Sequence, residues 1–163
     1  MESQPSVKIT RATKDEIALI QKLDQFYLYE FSPLMPEKYK LSENGYFIDD
    51  DYKRYWELPD HFPYLIYLED EIAGFALVHK EESFCNLDQF FILSKFQGTG
   101  LAKKAAYKIF DLHKGSWKVQ SFLKNTRSEK FWKKIISDFS NGQYTVHLEE
   151  PKHTHNEYVF STL

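Results

Sequence analysis

The residues best placed by type and spacing to do chemistry lie in KFQGTGLAKKAAYKIF, residues 95–110. Gly98 and Gly100 flank Thr99, after a run of bulky residues and before a helical pattern. A strand, a tight loop and a helix N-terminus together make an anion site. The first-turn amides have no partner inside the helix, and the dipole end there is positive. Glycines also let a ligand approach the backbone. The chemistry indicated is phosphate binding, and the alternative is an ordinary tight strand–helix turn. Two common phosphate patterns fail. In G-x-x-x-x-G-K-[ST] counted from Gly98, the second glycine falls on Lys103 and the hydroxyl residue on Ala105, so only Lys104 fits. In G-x-G-x-x-G the third position is again Lys103, and the loop lies too late in the chain for that fold.

The elements that must position this loop follow from periodicity. VKIT opens as a strand, and Thr13 with Glu16 forms a T-x-x-E capping box. Ile17, Ile20, Leu23, Phe26 and Tyr27 have helical spacing and predict a helix over 14–30. Two prolines in FSPLMPEKY break it. Residues 31–63 form a long aromatic connection with the acidic run Asp49 to Asp51 and a short helix in DYKRYWEL. YLIYL and IAGFALV predict a hairpin turning at Glu69-Asp70-Glu71. SFCNLDQFFIL is a further strand, apolar enough at its end to be central. The helix after the glycines carries Leu101, Ala105, Ala106, Ile109 and Phe110 inward. SWKVQSFL is a strand, Thr126 and Glu129 form a second capping box before the next helix, and a hairpin closes the chain. The order is β-α-(α)-β-β-β-α-β-α-β-β.

Composition narrows the classes. With 163 residues, 42% of them hydrophobic, the chain suits one domain over 1–163 with a real core. A net charge of -3 argues against nucleic acid as partner. The start of the chain has no signal-peptide core, and no apolar run is long enough to cross a membrane, so a cytoplasmic protein with no membrane partner is expected. The single cysteine, Cys85, excludes an internal disulfide and reads as a buried thiol. His147, His153 and His155 in HLEEPKHTH read as surface histidines near a turn, so no metal is expected.

Residues 95–100 match [Q/R]-x-x-G-x-[G/A] except at Lys95. LDQFFIL precedes that loop, and NTRSEKFWKKI follows the pattern N-x-x-A-x-x-[FLY]-[YW], with Ser128 in place of alanine. In these motifs the chain resembles the GNAT superfamily of N-acetyltransferases, most strongly over 62–139. The resemblance implies an α/β fold with a mixed, mostly antiparallel central sheet, a splayed strand pair, and helices on both faces. It implies acetyl-CoA as co-substrate. The pyrophosphate would meet the backbone of Gln97, Gly98, Thr99, Gly100, Leu101, Ala102 and Lys103. The pantetheine would pair with Phe91, Ile92 and Leu93, near Asn125 and Phe131.

The resemblance also implies catalytic positions, and here the chain departs from the family pattern. Trp132 stands where many members carry the tyrosine that protonates the thiolate, and an indole N–H is a very poor acid. On the splayed strand, where many carry a glutamate, the residues are Asp88 and Gln89. Gln89 is no base, whereas Asp88 can accept a proton. Tyr144 and Tyr158 are alternative sources of the missing acid. Tyr27, Tyr29, Glu30, Phe31, Tyr46, Tyr52, Tyr55 and Trp56, with Asp49 to Asp51, are candidates to hold a cationic amine. The expected activity is acetyl transfer from acetyl-CoA to an amine of a small molecule or a protein, by a monomer or homodimer. The rival is a non-catalytic acyl-CoA-binding module.

Overall fold

The computed structural model describes residues 4–162. Strand β1 (Val7–Arg11) leads through a 3-10 turn, Lys14–Glu16, into α1 (Ile17–Phe31). The Glu16 carboxylate accepts from the Thr13 N–H at 2.9 Å, as the T-x-x-E pattern predicts. The connection that follows carries one helical turn, α2 (Arg54–Glu57), fastened where Trp56 Nε1–H donates to the Ala12 carbonyl at 3.1 Å. Then come β2 (His61–Leu68), β3 (Glu71–Lys80), β4 (Cys85–Ile92), α3 (Leu101–Leu112), β5 (Ser116–Phe122), α4 (Thr126–Phe139), β6 (Tyr144–Leu148) and β7 (His155–Ser161).

The strands form one sheet in the order β1-β2-β3-β4-β5-β7-β6. Every pairing is antiparallel except β4 with β5. That parallel pair holds only at Cys85↔Trp117, Asn86↔Lys118 and Leu87↔Val119. Beyond Leu87 the two strands part and leave an opening at the centre of the sheet.

Strand alternation divides the core into two layers. On β3, Phe75 and Leu77 pack with Ile20 and Leu23 of α1 and Tyr55 of α2. Ala76 and Val78 face the other way, onto Leu101, Ala105 and Ile109 of α3 and Ile135 and Ile136 of α4. Each fully buried leucine or phenylalanine contributes about 1.5–3 kcal/mol of apolar transfer. Glycine at 74 is required by close approach, since a Cβ there would lie 1.9 Å from the Phe91 carbonyl oxygen.

Two local expectations are corrected. The β2–β3 turn is Glu69 and Asp70, with Glu69 at φ +54°, and Glu71 begins β3. The capping box of Thr126 and Glu129 does not form. Asn125 caps α4 instead, its Oδ1 accepting from the Ser128 N–H at 3.1 Å. Glu129 turns toward β7, where it accepts from Tyr158 O–H and from Asn156 Nδ2–H.

Candidate active site

The glycine loop reaches its shape through two left-handed residues, Gly98 at φ +77° and Gly100 at φ +82°. A side chain rarely adopts this conformation, which is why glycine stands at both positions. No atom lies within 4 Å of where either Cβ would stand. No side chain of the described residues caps α3 at Gly100, and the Leu101 N–H is held by Thr99 Oγ1 at 3.3 Å. The following first-turn amides, Ala102 and Lys103, therefore have neither a helical partner nor a cap. This open cradle fits a pyrophosphate.

The loop borders a cavity of about 750 Å³. Gln97, Gly98, Gly100, Ala102, Lys103, Asn125, Phe131 and Trp132 of the sequence-derived set line it, with Phe91 and Ile92. Leu93, Thr99 and Leu101 do not line it. The Leu101 side chain is core, at 2% exposure. The wall also includes Glu30, Pro33 and Leu34 from the end of α1 and the turn after it, and Arg127 from α4.

Along β4 the hydrogen-bonding direction alternates. Leu93 N–H donates to the Ala73 carbonyl at 2.8 Å, and Phe91 stands opposite Phe75 in the same phase. The backbones of Phe91 and Leu93 thus face β3. Phe90 and Ile92 turn their N–H and C=O toward the opening. Of the expected Phe91 to Leu93, only Ile92 thus has backbone groups free for an added chain, and Phe90 shares that phase.

Asp88 owes its direction to a bulge. Leu77 pairs with Gln89 and Val78 with Leu87, so Asp88 is the extra residue between them. Bulges re-aim side chains. Here Leu87 packs toward α3 and α4, while Asp88 turns to the α2 face. Its Oδ2 accepts from the Tyr55 O–H and from His79 Nδ1–H, the latter at 2.6 Å. Burial, and then the Asp88 charge, push the Tyr55 phenol well above its ordinary range, so it stays a donor. Asp88 is thus an exposed carboxylate held by two donors. It lines a second cavity, of about 550 Å³, together with Gln89, His79, Asn86, Tyr39 and Asp49.

Six residues line both cavities: Tyr27, Phe31, Phe90, Asn125, Ser128 and Trp132. Trp132, at 6% exposure, packs edge-on against Phe90 at 5.1 Å and Phe131 at 4.9 Å. Tyr27 rests on Phe91 at 5.5 Å, and burial raises its phenol to about 12. The other tyrosines considered from sequence are elsewhere. Tyr158 is 1% exposed and donates to Glu129, and neither it nor Tyr144 lines either cavity. Tyr29 and Tyr46 are exposed at the surface, and Tyr52, Tyr55 and Trp56 pack into the α1/α2 layer.

Of the acidic run, Asp49 reaches the second cavity. Its Oδ2 accepts from Tyr52 O–H at 2.8 Å, and the same hydroxyl lies 3.2 Å from Asp24 Oδ1. Asp24 is 2% exposed. Burial, the hydrogen bond it shares with Asp49 and the Asp49 charge raise its carboxyl to about 8. Asp24 is therefore protonated below that value, and Asp49 is the outward partner. His153 lies in the turn before β7 and His155 begins that strand, so the two do not share a strand.

The sheet order, the splay and the glycine loop define an acetyltransferase fold, and the comparisons with known proteins agree. The model of the acetyltransferase (GNAT) family matches residues 23–136. The chain belongs to that family, and its enzyme class is N-acetyltransferase. No curated protein matches the sequence significantly. Among solved structures, a GNAT acetyltransferase of Streptococcus agalactiae is similar at TM-score 0.71 and 16% identity, with 95% of each chain covered. An aminoglycoside acetyltransferase in complex with coenzyme A is similar at TM-score 0.66 and 12% identity, covering 96% of this chain and 95% of that one. A spermidine N-acetyltransferase from Vibrio cholerae is similar at TM-score 0.62 and 7% identity, covering 96% and 94%. At these identities the likeness is one of fold.

Proposed function

We propose that this protein transfers the acetyl group of acetyl-CoA directly to an amine of a small cationic molecule. One observation carries the reading. The cavity beside the glycine loop and the cavity in front of Asp88 share six lining residues at the mouth of the β4–β5 splay. A donor in one and an acceptor in the other would meet there. The named neighbours, which act on an aminoglycoside and on spermidine, are consistent with a small amine.

Acetyl-CoA supplies an activated thioester. The amides of Ala102 and Lys103, with the exposed backbone of Gly98 and Gly100, hold its pyrophosphate, and Lys103 and Arg127 add positive charge at that wall. Phe90 and Ile92 offer backbone groups to the pantetheine, and the Phe90 N–H is the donor nearest Asp88 for the thioester oxygen. Asp49, with Tyr27, Phe31 and Tyr39, receives a cationic, partly apolar amine. Asp88 removes the amine proton. Trp132 cannot protonate the departing thiolate. Tyr27, whose raised pKa keeps it a hydrogen-bond donor, steadies the thiolate, and water supplies the proton.

The test is thiol release from acetyl-CoA over a panel of diamines, polyamines and aminoglycosides, with isothermal titration of acetyl-CoA alongside. Asp88→Asn is expected to lower kcat by about 10²- to 10⁴-fold, the usual worth of a general base, and to leave the acetyl-CoA Kd unchanged. Binding without turnover on any amine would favour the non-catalytic acyl-CoA-binding reading.

A further inference from the structure

We infer that His79 and Tyr55 are positioning residues for Asp88, holding one oxygen of its carboxylate so that the other is turned to the amine. This rests on the reading of Asp88 as the proton acceptor.

A bulge residue has no strand partner to fix it, so its side chain must be held by others. Asp88 receives two donors on the same oxygen, Oδ2, from Tyr55 and from His79. Among the described residues its Oδ1 has no hydrogen-bond partner, while the side chain lines the acceptor cavity. Two donors on one oxygen lock the carboxylate's rotation and leave the other oxygen for the amine.

His79 is held in turn. Its ring stacks on His61 of β2 at 5.6 Å and 20°. Its Nε2 lies 3.3 Å from Asn86 Nδ2 and 3.3 Å from Glu81 Oε1. These partners have opposite sense. The Asn86 amide donates to a neutral ring, and the Glu81 carboxylate accepts from a charged one. Either partner at Nε2 leaves Nδ1–H directed at Asp88.

The groups facing the ring are Asp88 and Asn86 from β4, Glu81 beyond β3 and His61 from β2. Behind Asp88 stands Tyr55 of α2, with Arg54 over its ring at 4.9 Å, and Lys118 of β5 shares the cavity wall.

The experiment uses the full chain with acetyl-CoA and an amine that it turns over. His79→Asn keeps an N–H where Nδ1 stood; His79→Leu does not. His79→Leu is expected to lower kcat by about tenfold or more, with the acetyl-CoA Kd unchanged. The Asn variant should recover most of kcat. Tyr55→Phe should lower kcat, again with the acetyl-CoA Kd unchanged. A His79→Leu enzyme with wild-type kcat overturns the inference. Imidazole ¹⁵N spectra give a reading that does not need turnover. The neutral ring should be the Nδ1–H tautomer in the wild type and lose that preference in Asp88→Asn, and an Nε2–H tautomer overturns the proposal. A wild type that turns over no amine would count against the acetyltransferase reading, while the tautomer still decides the role of His79.

Discussion

Trp132 is where this chain departs furthest from the usual pattern of its family. It sits at the junction of the two cavities, buried among Phe90, Phe110 and Phe131, and serves there as a wall. An indole is no acid, and Tyr27 on α1, which lines both cavities, is the phenol proposed in its place. Tyr27→Phe is expected to lower kcat by about tenfold, the worth of one good hydrogen bond to a developing charge, and to leave acetyl-CoA affinity unchanged. A kcat equal to that of wild type would remove Tyr27 from the mechanism. Asp88 was legible as a candidate through the family resemblance, which places a carboxylate on that strand. Tyr55 was legible only as a possible amine contact and His79 not at all, since they lie 33 and 9 residues away and meet Asp88 only through the fold.

At the scale of elements, the proposed function assigns acetyl-CoA affinity to the loop between β4 and α3. Gly98 has φ +77° and open space where a side chain would project. Aspartate tolerates the left-handed region better than most residues, so Gly98→Asp should fold with a modest loss of Tm. Its carboxylate would stand where the pyrophosphate belongs. The expected result is a rise of at least tenfold in the acetyl-CoA Kd by isothermal titration, or about 1.4 kcal/mol. Unchanged affinity would reduce the loop to a turn. The capping of α4 shows the limit of local patterns. Thr126 and Glu129 have capping-box spacing, yet Asn125 wins the cap because β7 draws Glu129 away through Asn156 and Tyr158.

Across the whole molecule, the buried Asp24 couples stability to pH. Its carboxyl is raised to about 8 in the folded state, against an ordinary carboxylate value when unfolded. Between those values the folded state binds more protons than the unfolded one, so this group's contribution falls as pH rises through the window. The Tm difference between wild type and Asp24→Asn should therefore move against the wild type from about pH 5 to about pH 8. A difference independent of pH would show that Asp24 is ionised throughout. Acidification toward pH 5 is thus expected to favour this part of the fold, which melting curves at several pH values can show.

By itself the sequence determined the order of strands and helices, the glycine loop and the family, because these rest on near-neighbour periodicity and on backbone conformations that only certain residues allow. It also marked Asp88, Asn125 and Trp132 by motif position. The tertiary structure decided which residues share a cavity. A bulge turned Asp88 toward α2, strand phase exchanged Phe91 and Leu93 for Phe90, and packing of α1 placed Tyr27 between donor and acceptor while leaving Tyr29 in solvent. Such choices depend on register and on contacts between residues far apart in the chain, and no local pattern encodes them.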